Sequence, residues 1–138
     1  MAAQLDAAGA AKMGTIDEAL IHLQRLHGLV ERMAVAVKNR EGTQVYGVQI
    51  RRAGTPMVGQ LKGQFGMIAD QVSALLLVAS RGGSDQVRLR SLREGIAQIR
   101  TALEIAGTRV KEKHMVDDGD EKAPAGGSAP GSAASGNS

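Results

Sequence analysis

The 138-residue chain has no cysteine and no tryptophan, and Tyr46 and Phe65 are its only aromatic residues. The lack of cysteine excludes disulfides, thiolate zinc sites and a cysteine nucleophile, and leaves no sign of an oxidising compartment. With so few aromatics, a core must be built from Leu, Ile, Val, Met and Ala, which favours helices over sheets. Long apolar runs are missing too. The longest, Ala74–Ala79, falls far short of the roughly 20 residues that span a bilayer. Met1–Gly14 has no basic segment and carries Asp6 among alanines, unlike a secretory signal. A cytoplasmic protein of one modest domain is the expectation.

Charge is unevenly placed. Asp117, Asp118, Asp120 and Glu121 against Lys122 make residues 117–138 net −3, so residues 1–116 carry +6 of a chain whose total is +3. From Ala123 to Ser138 the sequence is almost wholly Ala, Gly, Ser and Pro, with no side chains to bury against the entropy of ordering. The expected organisation is therefore a flexible N-terminus over 1–14, a helical bundle domain over 15–116 and a disordered acidic, then Gly/Ala/Ser/Pro-rich tail over 117–138.

Three helices emerge from the periodicity. Thr15-Ile16-Asp17-Glu18 reads as a capping box, and Ile16, Leu20, Leu23, Val30, Ala34 and Val37 follow in helical register, with His27 on the same stripe and Leu26, Leu29 and Met33 widening it. Lys38 and Arg40 supply a cationic last turn, with Gly42 as the expected left-handed stop. Thr55 and Pro56 suit a second helix start, after which Val58, Leu61, Phe65, Ile68, Val72, Leu75 and Ala79 alternate steps of three and four. Gly82-Gly83 and Ser84 turn and cap into Leu89, Leu92, Ile96, Ile99, Leu103, Ala106 and Val110. Helices over 15–40, 55–80 and 84–114 would be about 39, 39 and 46 Å long at 1.5 Å per residue. The fold expected is all-α: a three-helix bundle in which 55–80 and 84–114 form an antiparallel hairpin with coiled-coil-like seams. Residues 43–54 alternate at Tyr46, Val48 and Ile50, but a strand there has no partner, so a helical connector kinked at Pro56 is expected. A core this lean would gain from apolar surface shared with a second copy, which makes a homodimer a reasonable expectation.

No residue cluster carries a chemical signature. His22 and His27 are five apart, about 140° around the wheel, so they cannot share a metal on one helical face; His22 is expected in solvent and His27 partly buried. Asp117–Glu121 is too short for an EF-hand loop. No Gly-Lys-Ser/Thr and no nucleophile elbow occurs. Catalytic residues, cofactor, metal and small-molecule substrate are accordingly none, and no enzyme is expected. Two features are candidates for interaction. Gly59, Gly63 and Gly66, with Ala69 and Ser73, form a ribbon of small residues whose helix-weakening cost of up to about 1 kcal/mol per glycine calls for a neighbouring backbone. Arg51 and Arg52, with Lys38 and Arg40, form the better basic cluster; the arginines of 84–114 flank its apolar stripe on both sides, as solvated stems do.

Leu61-Lys62-Gly63 followed by an antiparallel helical pair resembles the middle of a histidine phosphotransfer domain. The position matching the family's acceptor histidine is Gly59, so the resemblance implies a relative that docks a signalling partner without accepting phosphate. The leading expectation is a non-enzymatic helical protein-interaction or self-association module. The alternatives are a small basic nucleic-acid-binding protein and the acceptor-less phosphotransfer-like domain.

Overall fold

A computed structural model describes residues 3–117. Four helices and one short ladder account for nearly all of them: β1 (Ala3–Leu5), α1 (Ala7–Lys38), α2 (Gln44–Lys62), α3 (Gly66–Ser80), α4 (Asp85–His114) and β2 (Met115–Asp117). The all-α class holds. The arrangement is a four-helix, up-down-up-down bundle rather than three matched helices, because α1 packs on α2 and α4 while α3 packs on the same two.

α1 begins well before the expected capping box. Asp6 is its N-cap, in extended conformation, with its carboxylate accepting from the Gly9 amide at 2.7 Å. Ala7, Ala8, Ala10 and Ala11 supply strong helix formers behind that cap. Thr15 therefore sits inside the helix, where its hydroxyl lies 3.2 Å from the Ala11 carbonyl. Residues 7–14, expected to be loose, are part of α1. At the other end, Arg40 rather than Gly42 takes the left-handed conformation, with φ 58°.

The second correction lies between residues 43 and 80. Residues 44–62 form one helix that runs through Pro56. The proline is on the exposed face, so the carbonyl that loses its amide donor can turn to water. The chain breaks instead at Gly63-Gln64-Phe65, where Phe65 leaves helical geometry (φ −134°, ψ 59°) and donates its amide to the Leu61 carbonyl at 2.7 Å. The unbroken apolar spacing marks Leu61, Ile68, Val72, Leu75 and Ala79 as buried. Val58 and Phe65 are only partly so, Met57 takes the core position beside Val58, and the helix is not continuous. Met57 and Leu61 on α2 and Ile68, Val72 and Leu75 on α3 fold against each other into the same core.

The seam of α1 is Ile16, Ala19, Leu23, Leu26, Val30 and Met33, all fully or almost fully buried. Leu20, His27, Ala34 and Val37 flank it, half-buried, as does His22. On α4 the seam is the expected one, Leu89 through Leu103 to Val110, and Ser84 caps through the Val87 amide. α1 and α4 run antiparallel in a register that holds to within two residues along their length: Glu31 meets Arg93, Gln24 meets Arg100, and Lys12 meets His114. Both are long, about 48 and 45 Å, whereas α2 and α3 are about 28 and 22 Å. The α2–α3 turn therefore stops partway down the long pair, near Thr15, which lies 3.3 Å from Gln64. Beyond it, α1 and α4 continue alone and are tied off by β1 pairing antiparallel with β2, Ala3 opposite Asp117 and Leu5 opposite Met115. The tail expected from 117 onward lies outside the described residues except for Asp117 itself. No helix among the described residues is long and apolar enough to cross a membrane.

Candidate functional site

Glycines divide into two groups by what a Cβ would meet. At Gly47 it would come within 2.7 Å of the Ala79 carbonyl oxygen, at Gly54 it would meet the Leu76 side chain, and at Gly95 the Leu75 side chain. These three let α2 and α4 close on α3. The ribbon expected to receive a neighbouring backbone, from this chain or another, receives none within this chain: Gly59, Gly63 and Gly66 each face nothing within 4 Å. The heptad spacing of Gly47 and Gly54 was the available signal. It is easily missed because both lie in the segment whose secondary structure the sequence left ambiguous.

Open glycines next to apolar side chains leave a trough. Between α2 and α3, a groove of about 660 Å³ is lined by Val58 and Gly59 from one helix and by Ser73, Leu76 and Leu77 from the other. Leu77 is 63 % exposed, on a helix whose only charged residue is Asp70. Arg51 and Lys62 stand at the two ends of the groove, eleven residues apart on α2. No carboxylate lines it, and neither cation forms an ion pair among the described residues. The structure thus brings Arg51 and Gly59 together. Gly63 caps α2 at the turn, Gly66 opens α3 toward a different groove, and Arg52 points into solvent beside Pro56.

Among the described residues, three ion pairs brace the bundle itself. Arg93 forks onto Glu31 with two contacts of 2.9 Å, and the guanidinium holds the Glu31 carboxyl below its usual range. Both partners are about half exposed, so the pair contributes about 0.5 kcal/mol after screening. Asp85 receives the Thr43 hydroxyl and the Arg88 guanidinium, both at 3.0 Å, which ties the α1–α2 turn to the start of α4. Asp6 is held below the usual carboxylate range first by the Gly9 amide and then by His114. That long-range partnership, Asp6 with His114 Nδ1 at 3.1 Å, had no local signal in the sequence, since 108 residues separate the two. Among the described residues no group of three or more His, Asp or Glu side chains gathers to hold a metal. Lys62-Gly63, which carries the phosphotransfer resemblance, falls where α2 ends. No protein family, curated protein or solved structure matches the chain.

Proposed function

We propose that the chain is a non-enzymatic helical interaction module whose α2–α3 groove takes an apolar helix of a partner protein flanked by acidic residues. The observation that carries this reading is the groove itself: an apolar floor at Leu76 and Leu77, an open glycine at Gly59, and unpaired cations at both ends. Helix-in-groove docking needs an apolar trough for anchors spaced along one face, and the end charges set direction and partner choice. A symmetric pairing of two copies through the same face is disfavoured, since either alignment of the grooves would set the end cations of one copy against those of the other. Self-association is the second reading, because Leu77 is 63 % exposed on a helix that carries a single charge.

Gly59→Leu tests the proposal cleanly, as its side chain enters empty groove and leaves the bundle intact. Affinity capture by the wild type, compared with Gly59→Leu and Leu77→Glu of unchanged helicity, should recover a protein that both variants lose. Equal recovery by all three would sink the reading. A concentration-dependent dimer in sedimentation that Leu77→Glu dissociates would replace it with self-association.

A further inference from the structure

A second groove lies on the other flank of α3, where the short helices stop and α4 runs on. Its volume is about 470 Å³. Phe65, Ile68, Ala106 and Val110 form the floor, and Met67 and Ile105, 84 % and 48 % exposed, stand as walls. Along α4 the lining changes character: apolar at Ala102 and Ile105, cationic at Arg109 and Lys113. Lys12 and His114 close the cationic end. The length from Ala102 to Lys113 is about 16 Å at helical rise. Not one carboxylate lines the groove; its remaining polar side chains are Gln64 and Gln71.

The cationic end is held in place. His114 Nδ1 faces the Asp6 carboxylate at 3.1 Å and its Nε2 lies 3.3 Å from Lys12 Nζ. With a proton on Nδ1 donated to Asp6, Nε2 accepts one ammonium proton of Lys12 and leaves two for another acceptor. The same Asp6 caps α1 and its amide donates to the His114 carbonyl at 3.0 Å, so the ammonium is tethered through two helix ends. An apolar trough with positive charge at one end only is complementary to a molecule with a single apolar chain and one anionic head. The acidic segment that follows β2 could meet the charges but not the floor, because everything after Lys122 is Ala, Gly, Ser, Pro or Asn.

We infer that this groove binds a free single-chain amphiphile with a carboxylate head, the chain along Ile68 and Ile105 and the head among Lys12, Arg109 and Lys113. Titration of the full chain with dodecanoate below its critical micelle concentration, followed by methyl NMR, should shift Met67, Ile68 and Ile105 and leave Leu77 unmoved. Acetate, which has the head alone, and dodecyltrimethylammonium, which has the chain with the opposite charge, should leave those methyls in place. Arg109→Glu with Lys113→Glu, both exposed, should weaken dodecanoate at least tenfold, and Ile105→Glu should abolish its binding. Comparable shifts with the cationic amphiphile, or shifts centred on the α2–α3 groove, would overturn the assignment. So would association with phosphatidylglycerol vesicles by a chain that ignores free dodecanoate, since the site would then be a membrane contact.

Discussion

At the scale of single residues, the bundle is decided by where a hydrogen replaces a methyl group. Gly47 faces a backbone carbonyl that cannot rotate away, while Gly59 faces open groove. Alanine at either position gains up to about 1 kcal/mol of helix propensity, but at Gly47 it also drives α2 off α3, an overpacking cost of about 1–3 kcal/mol. Chemical denaturation should therefore show Gly47→Ala destabilised by about 1–2 kcal/mol and Gly59→Ala stabilised by a few tenths to about 1 kcal/mol. Gly54→Ala should fall between them, since its obstacle is the far end of the flexible Leu76 side chain. Arg40 departs from expectation differently: the left-handed position fell to a residue with a Cβ although Gly42 lies two residues on. The Glu41 amide reaches the Ala36 carbonyl at 2.8 Å across that turn, satisfying one of the helix's last carbonyls.

At the scale of elements, the sequence was legible wherever burial and helicity coincided and misleading where they separated. α4 is legible almost to the residue because its seven apolar positions lie on one uninterrupted helix. Across Val58 to Ala79 the same spacing persisted while the helix did not, since the two arms of a hairpin can bury one stripe against itself. The start of α1 was missed for another reason. Asp6 and the alanines behind it are a local cap signal in an otherwise featureless segment. The His114 contact that braces the cap joins the ends of the described chain and leaves no trace in local pattern. Of the groove between α2 and α3, Gly59 and Arg51 were readable as candidates; Leu76 and Leu77 were indistinguishable from core in an apolar run.

The cap at Asp6 has a pH signature. Its carboxyl is lowered in the fold by the Gly9 amide and His114, so its contribution is present above its unfolded value, about 3.9, and is lost as pH falls through the lowered folded value. Asp6→Asn keeps a capping oxygen without the charge. The wild type should lose stability more steeply than Asp6→Asn as pH falls below about 4, and exchange of the Gly9 amide should report the difference. Parallel acid profiles for the two proteins would remove Asp6 from this role.

For the whole molecule, the decisive fact is the mismatch in helix length. A bundle of four equal helices has no open end, but here two stop short, and the exposed flank of α3 and the last turns of α4 become accessible surface. That is why an apolar trough opens between the start of α3 and the end of α4, and why cations from residues as distant as Lys12 and Lys113 converge there.

The β1–β2 ladder also has a topological meaning. Ala3 and Asp117 are directly opposed on antiparallel strands, so an Asn-Gly turn of two residues is enough to join them. The described chain is in effect a ring with one link left out. Joining Asp117 to Ala3 and opening the ring between Gly82 and Gly83, in the exposed turn before α4, gives a circular permutant whose packed elements are unchanged. Its cooperative melting, within several degrees of the parent's, would show that the order in which the four helices leave the ribosome is incidental to the structure they reach.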